Sequence, residues 1–234
     1  ALGIENCPSM GTPRVRHHQA PRKPAAPFRR RLLIMVKAPQ VGRVKTRLAS
    51  EIGAVRAAWF YRHTATAVIA RLSRHPGWET ILSVSPDESR RSTIWPAPLR
   101  RFPQGRGDLG QRMQRAMQMP PVGPVLVIGS DIPAIQPVHI ARAFKALGYH
   151  HVVFGPAEDG GYWLVGQRRR PRTMRLFDHD IRWSSRHALN DTVKGLRNLR
   201  IGFVARLSDV DDAETFRSVA GWCGRRILPP KVGN

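Results

Sequence analysis

Residues 32–47 read Leu-Leu-Ile-Met-Val-Lys-Ala-Pro-Gln-Val-Gly-Arg-Val-Lys-Thr-Arg. The first five form a continuous apolar run, which is typical of a strand buried on both faces in the centre of a sheet. Pro39 and Gly42 then break the chain, so residues 37–47 are predicted to form a loop. Apolar residues recur at helical spacing from Gly53 to Arg74. The stretch therefore predicts a strand and a loop, with a helix after them.

The same alternation continues along the chain. Further strands are predicted at residues 81–84, 125–128, 152–154, 162–165 and 201–204, and further helices at 108–119, 137–147 and 185–196. Strands alternating with helices predict an α/β fold with a largely parallel sheet. Ligands of such sheets bind beyond the carboxyl ends of the strands. The unusual segments 37–47, 129–133 and 158–161 each follow a predicted strand, so we expect them to share one site.

The composition suits one folded domain with a large excess of positive charge. The chain has 234 residues, of which 41% are hydrophobic, and that fraction can bury a core. Its 39 basic and 16 acidic residues give a formal net charge of +23. Such basicity can indicate nucleic-acid binding. Because the arginines are spread through the whole chain, an enzyme acting on phosphate-bearing substrates is the favoured explanation, and nucleic-acid binding stays an alternative.

The two ends of the chain differ from its middle. Residues 1–29 are rich in proline and basic residues and lack apolar periodicity, so we expect a disordered arm. Residues 30–216 are predicted to form the folded domain, and 217–234 a tail. No apolar run approaches the roughly 18 residues of a membrane span, and the arm lacks the apolar core of a signal peptide. A cytoplasmic protein without a membrane partner is expected. Cys7 and Cys223 exclude a disulfide framework and lack zinc-site spacing.

The first loop has the residues of a phosphate site. Lys37, Arg43, Lys45 and Arg47 lie within it, together with Gly42. Glycine permits close backbone approach, a helix start offers free N–H groups, and cations neutralise phosphate charge. The spacing matches neither the Walker loop nor the dinucleotide-binding glycine motif. The alternative is a solvated basic loop.

Asp131 is the sharpest single candidate. It follows four apolar residues of a predicted buried strand and stands between Gly129 and Pro133. A carboxylate at a strand end can hold Mg²⁺ or Mn²⁺, which would bridge to diphosphate oxygens. The alternative is an aspartate that caps the helix beginning near Pro137.

Two further acidic segments follow strands. In residues 158–161, Asp159 is a candidate base or orienting group near an acceptor, and the alternative is a plain hairpin turn. Asp209, Asp211 and Asp212 follow the last strand. They could add a second carboxylate to the metal, although taken alone they favour a helix N-cap cluster.

The glycine-rich segment 105–113 leads into a predicted helix. It could contact the base or the sugar of a nucleotide. The alternative is a loop in which Asp108 is the helix N-cap.

Taken in chain order, these segments resemble the motifs of one family. Lys37–Leu48 resembles K-A-P-x-x-G-x-V-K-T-R-L, and Gly107–Met113 resembles G-D-L-G-x-R-M. Gly129–Pro133 is similar to G-S-D-x-P, Gly155–Tyr162 to G-P-A-x-D-G-G-Y, and Asp209–Asp211 to D-V-D. The family is a bacterial group of glycosyltransferase-A-like proteins in the nucleotide-diphospho-sugar transferase superfamily, with some members named arsenosugar-biosynthesis-type glycosyltransferases. The resemblance covers residues 31–216.

The resemblance implies a Rossmann-like glycosyltransferase-A fold with a mixed, mostly parallel sheet and helices on both faces. It also implies a nucleotide-sugar donor, a small-molecule acceptor and Mg²⁺ or Mn²⁺. The roles implied are donor phosphate binding by Lys37, Gly42, Lys45, Thr46 and Arg47; base or sugar binding by Asp108, Arg112 and Ser130; acceptor contacts by Gly160, Gly161 and Tyr162; catalysis by Asp159 and Lys45; and metal binding by Asp131 and Asp211. At Asp131 a single acid replaces the D-x-D motif of many glycosyltransferases of this fold.

Sugar transfer is therefore the leading functional hypothesis. The superfamily also contains nucleotidyltransferases, including a guanylyltransferase acting on phospholactate, and their donor loops are similarly basic and glycine-containing. Nucleotidyl transfer from a nucleoside triphosphate stays the alternative.

Overall fold

The computed structural model describes residues 28–169 and 173–220. Nearly all of the predicted arm and most of the predicted tail lie outside these residues. The strands are β1 Arg31–Lys37, β2 Glu79–Ser85, β3 Arg100–Pro103, β4 Val125–Ile128, β5 Val152–Pro156, β6 Tyr162–Gln167 and β7 Ile201–Phe203. The helices are α1 Thr46–Ile52, α2 Ala54–Ser73, α3 Leu109–Gln118, α4 Pro137–Ala146, α5 Ala188–Lys194 and α6 Ala213–Ala220.

The described strands form one sheet in the order β3-β2-β1-β4-β6-β5-β7. All neighbouring strands are parallel except β6, which runs antiparallel to β4 and β5. The predicted mixed, mostly parallel α/β fold is therefore confirmed.

Both faces of the sheet are covered, which explains the unbroken apolar runs. Leu32, Ile34 and Val36 of β1 pack on one face with side chains of α2 and α4. Leu33 points to the opposite face and packs with Met113 of α3. Since successive side chains of a strand point to opposite faces, a strand covered on both sides must be apolar at every position.

Helix α1 and strand β3 were not predicted from the sequence. The helix expected from Gly53 onwards is preceded by the short α1, because Gly53, at φ +90°, separates α1 from α2. Val55, one of the apolar residues at helical spacing between Gly53 and Arg74, is 69% exposed. The edge strand β3 has too few apolar residues to show a pattern. Helix α6 runs through the predicted domain boundary at residue 216.

The topology creates a crevice beside β1. From β1 the chain moves outward to β2 and β3, and it later places β4 on the other side of β1. The loops that follow β1 and β4 therefore leave the sheet in different directions, and open α/β sheets bind their ligands at such a point. None of the helices within the described ranges has both the length and the apolar character needed to cross a membrane.

Candidate active site

A cleft of about 520 Å³ opens at the carboxyl ends of β1 and β4. It brings together the three segments that the sequence singled out after strands. Its polar side chains include Lys37, Arg43, Lys45, Thr46, Tyr61, Gln104, Ser130, Asp131, Asp159 and Asp209. Because β6 is antiparallel, its first residue Tyr162 lies at the same edge and also lines the cleft.

Lys45 is at the centre of the polar part. Its Nζ lies 2.8 Å from Asp131 Oδ2 and 2.6 Å from Asp211 Oδ1. The side chain is only 4% exposed, although lysine is normally a surface residue. The ion pairs explain this, because a buried charge requires a partner of opposite sign. The alternative of a solvated basic loop is therefore wrong for Lys45.

The backbone of Lys45 is also unusual. The residue precedes α1 in the left-handed conformation, at φ 46° and ψ 50°. This region costs a residue other than glycine about 1–3 kcal/mol, and such costs are found most often at functional sites. The two ion pairs help to keep Lys45 in this conformation.

Asp209 joins Asp131 and Asp211 as a third acid. One carboxylate oxygen from each residue lies within 4.8 Å of the others. Asp209 and Asp211 flank Val210, which is 1% exposed and packs with Leu48 of α1. The predicted ligands do not include Asp209, since an acid after the last strand can equally cap a helix.

The charges of the cluster influence one another. Burial disfavours the charged form of Lys45, yet Asp131 and Asp211 raise the pKa of Lys45 above its ordinary value. Burial works in the opposite sense on Asp211, but the Lys45 ammonium lowers the pKa of Asp211. Burial and the neighbouring charge of Asp211 raise the pKa of Asp209 to about 6.

The three carboxylates fit a divalent cation. Mg²⁺ and Mn²⁺ prefer hard oxygen ligands, and this donor set consists of carboxylate oxygens only. The Lys45 ammonium lies within hydrogen-bond distance of two of them, so the structure itself places positive charge there. The predicted ligands Asp131 and Asp211 are thus together, with Asp209 added.

Tyr61 of α2 connects two loops of the cleft, and sequence reasoning missed it. Its hydroxyl oxygen accepts a hydrogen bond from the Lys37 N–H at 2.8 Å and lies 3.1 Å from Ser130 Oγ. Burial raises the pKa of Tyr61 to about 12, so the hydroxyl stays protonated. In the sequence, Tyr61 is only one more large residue on a helix.

Asp159 lies in the turn between β5 and β6, at the edge of the cleft. Its Oδ1 accepts a hydrogen bond from the Gly161 N–H at 2.9 Å. Gly160 has φ +85°, and a Cβ there would collide with the backbone of Arg186. The turn predicted by the sequence is present, and its acid and Gly161 line the cleft.

An apolar wall continues from this turn. It is formed by Met35, Leu109, Met113, Tyr162, Val165 and Trp183. Trp183 packs so closely against Gly110 of α3 that a Cβ at Gly110 would be 2.5 Å from the indole. The neighbouring Arg182 forms a bidentate ion pair with Asp191 of α5, with both bonds at 2.8 Å. Of the residues of this wall, only Tyr162 was predicted from the sequence to have a role in the site.

Several sequence-predicted residues do not line the cleft. These are Gly42, Arg47, Asp108, Arg112, Gly160 and Asp211, of which Asp211 contacts the cleft residue Lys45. The Asp108 carboxylate accepts a hydrogen bond from the Gln111 N–H at 2.7 Å, and Gln111 Oε1 accepts one from the Asp108 N–H. Asp108 is thus the N-cap of α3, as the alternative held. Arg112 Nη1 donates a hydrogen bond, at 3.4 Å, to Oε1 of Gln104, and Gln104 lines the cleft.

The capping alternatives for the acids have separate outcomes. Helix α4 is preceded by Gln136, which forms its capping box with His139, so Asp131 does not cap it. Asp212 instead accepts a hydrogen bond from the Thr215 N–H at 2.8 Å, at the start of α6. The three acids after the last strand therefore have different positions: Asp212 caps a helix, and Asp209 and Asp211 face the site.

Comparison with known proteins identifies a bacterial family. Residues 68–185 match the family DUF2064, described as an uncharacterized protein conserved in bacteria. A crystal structure from Desulfovibrio desulfuricans G20, of a proposed nucleotide-diphospho-sugar transferase, is 30% identical with a TM-score of 0.74. That match covers 81% of this chain and 85% of the other. None of the curated proteins compared with the chain matches it.

More distant structures share the fold. The 4-diphosphocytidyl-2C-methyl-D-erythritol synthase of Anaerococcus prevotii is 10% identical with a TM-score of 0.55, covering 84% of this chain and 96% of its own. A cytidylyltransferase from Leptospira borgpetersenii is 10% identical with a TM-score of 0.54, and the match covers 82% of this chain and 85% of the other. At this identity the likeness concerns the fold.

Proposed function

The chain belongs to the bacterial DUF2064 family, and we propose that it is a transferase that binds a nucleotide-diphospho-sugar and moves the sugar to a small acceptor with the help of Mg²⁺ or Mn²⁺. One observation carries the proposal: the buried Lys45 ammonium joins the donor loop after β1 to the acids after β4 and β7. The likeness to the Desulfovibrio protein supports the choice of donor.

The donor diphosphate is proposed to lie along the first loop. Lys37, Arg43 and Lys45 place three cationic side chains on the cleft, and Thr46 begins α1 beside them. Arginine and lysine are the side chains that neutralise phosphate oxygens. Arg47 and Gly42 are proposed to support this loop from outside the cleft, where the structure has them.

Asp131, Asp209 and Asp211 would hold the metal. When bound, the cation supplies positive charge against the diphosphate that leaves during transfer. Lys45 acts on the same charge, because its ammonium can contact the departing phosphate oxygens. Since negative charge grows on the leaving group in the transition state, these contacts would increase kcat rather than only tighten ground-state binding.

The acceptor is proposed to bind between the Asp159 turn and the apolar wall. A bond forms between an acceptor oxygen and the anomeric carbon, and the bond from that carbon to the diphosphate oxygen breaks. The diphosphate keeps the electron pair, and the acceptor proton passes to the Asp159 carboxylate, the acid of the turn at the cleft. Gly161 fixes the Asp159 carboxylate through its N–H, and Tyr162 and Trp183 provide an apolar surface for a sugar ring.

Nucleotidyl transfer is the second candidate, because two cytidylyltransferases share this fold over more than four fifths of the chain. In that reaction an acceptor oxygen would attack the α-phosphorus of a nucleoside triphosphate, and pyrophosphate would leave. The same cations would then hold the triphosphate. The two reactions release different products, so they can be separated directly.

A thermal-shift panel on the full chain tests the proposal. UDP-, GDP- and dTDP-sugars and the triphosphates GTP, CTP and UTP would each be added with and without Mg²⁺ or Mn²⁺. A ligand specific for the native state at a hundredfold excess over its Kd stabilises it by about 2.7 kcal/mol. A metal-dependent shift with one nucleotide sugar supports sugar transfer, and a shift confined to a triphosphate supports nucleotidyl transfer. No shift with any compound contradicts donor-first binding.

A further inference from the structure

We infer that Lys45 and a divalent cation exclude each other from the acid cluster, so that metal binding moves the Lys45 ammonium towards the donor phosphates. The inference rests on the proposed function, because it assumes that the donor is a phosphate compound. It goes further in making Lys45 the residue that links metal binding to donor binding.

The geometry leaves room for only one cation. Lys45 Nζ is 2.8 Å from Asp131 Oδ2 and 2.6 Å from Asp211 Oδ1. A divalent ion would need oxygens of the same carboxylates at about 2.0–2.6 Å. Carboxylate oxygens that lie within 4.8 Å of one another surround a single small space. An ammonium and a metal ion in that space would repel each other at close range in a partly buried site.

The cleft offers the Lys45 ammonium an alternative position, beside the proposed donor phosphates. It lies at the end of the loop that carries Lys37 and Arg43, and all three side chains line the same cleft. Its four-carbon side chain rotates freely once the ion pairs are released. Its ion pairs are the contacts that balance the cost of the left-handed backbone at φ 46°.

The charges explain the direction of the coupling. Three aspartates and Lys45 carry at most three negative charges and one positive charge, so the cluster still attracts a second cation. The carboxylate oxygens that would bind this cation are already in contact with the Lys45 ammonium. An anionic donor attracts Lys45 away and frees the oxygens. By linkage, a donor that favours metal binding is favoured by the metal to the same degree.

Binding of Mn²⁺ alone tests the exchange without any activity assay. Electron paramagnetic resonance would measure free Mn²⁺ in titrations of the wild type, Lys45→Met and Lys45→Arg. Lys37→Met is the matched control, since Lys37 lines the same cleft and makes no ion pair among the described residues. We expect Lys45→Met to bind Mn²⁺ at least about tenfold more tightly than the wild type, which corresponds to about 1.4 kcal/mol. Lys45→Arg keeps the charge and should stay near the wild type, as should Lys37→Met.

A second measurement uses the wild type, because Lys45→Met leaves three acids together and can impair folding. Acetylation of lysines, followed by mass spectrometry, reports which amines are accessible. At 4% exposure Lys45 should react slowly in metal-free protein, and its rate should increase several-fold with Mg²⁺. Lys145, exposed on α4, is the internal reference and should not change.

Several outcomes overturn the inference. One is a folded Lys45→Met variant that binds Mn²⁺ no more tightly than the wild type. Another is saturation with Mg²⁺ that leaves Lys45 acetylation unchanged. If neither the wild type nor Lys45→Met binds Mn²⁺ at all, the proposed exchange between Lys45 and the metal is wrong. The transferase proposal is then still judged by nucleotide binding in the thermal-shift panel.

Discussion

Tyr61 and Ser130 are 69 positions apart in the chain, yet their hydroxyl oxygens lie 3.1 Å apart beneath the cleft. Tyr61 belongs to α2, and Ser130 is the second residue after β4. Because Tyr61 also accepts the Lys37 N–H, one side chain fixes the ends of β1 and β4 relative to each other. These are the two strands whose loops carry Lys45 and Asp131.

Tyr61→Phe is expected to destabilise the fold and to weaken donor binding. The change leaves the Lys37 N–H and the Ser130 hydroxyl without their shared partner, at a cost of about 1–3 kcal/mol. Urea unfolding measures the first effect and nucleotide titration the second. Tyr149→Phe is the control, because Tyr149 is 68% exposed and should change neither. Equal results for the two variants would show that the Tyr61 hydroxyl does not hold the loops.

Asp131→Asn is expected to remove the metal-dependent part of any nucleotide-induced thermal shift. An amide keeps the shape of the side chain but removes the charge that attracts both Lys45 and a divalent cation. Asp178→Asn is the matched control, since Asp178 forms a partly exposed ion pair with Arg175 outside the cleft. A metal-dependent shift of full size in Asp131→Asn would exclude Asp131 as a ligand.

Gly160→Ala is expected to destabilise the protein more than Gly42→Ala. Both glycines have a positive φ, +85° and +76°, so each alanine carries a backbone cost of about 1–2 kcal/mol. Only the Cβ at position 160 would also collide with the Arg186 backbone, whereas nothing lies within 4 Å at position 42. Chemical denaturation of both variants measures the difference. Equal losses would mean that the turn containing Asp159 and Gly160 adapts without strain.

The Arg182–Asp191 ion pair should make stability depend on acid pH. Hydrogen bonds from Arg182 hold the pKa of Asp191 well below its ordinary value. A group whose pKa is lower in the folded state stabilises the fold above its unfolded pKa, and that contribution is lost as the pH falls through the folded pKa. The wild type should therefore melt higher than Asp191→Asn at pH 6, and the difference should shrink below about pH 4.

Melting curves of both proteins from pH 6 to pH 2.5 measure this effect. Asp178→Asn again provides the comparison, because its ion pair is solvent-exposed and should add little. A gap between wild type and Asp191→Asn that stays constant over the whole range would show that Asp191 does not stabilise the fold through its charge.

The sequence by itself determined the central strands of the sheet and where they end. Leu32–Val36 and Val125–Ile128 are apolar at every position, and only a strand covered on both faces needs that pattern. For Asp108 the sequence offered two roles, nucleotide binding and the N-cap of α3, and the structure shows the capping contacts with Gln111. Asp131 could be placed at the site because it comes three residues after the end of a buried strand.

Only the tertiary structure decided which side chains meet. Lys45 and Asp211 are 166 positions apart, and no local pattern indicates that the lysine of the loop after β1 lies buried between acids. The choice of Asp209 and Asp211 for the site, and Asp212 for a helix cap, depends on Val210 packing against α1. Local sequence fixes where each strand ends and which residue follows it, but ion pairs between loops depend on how the strands are ordered in the sheet.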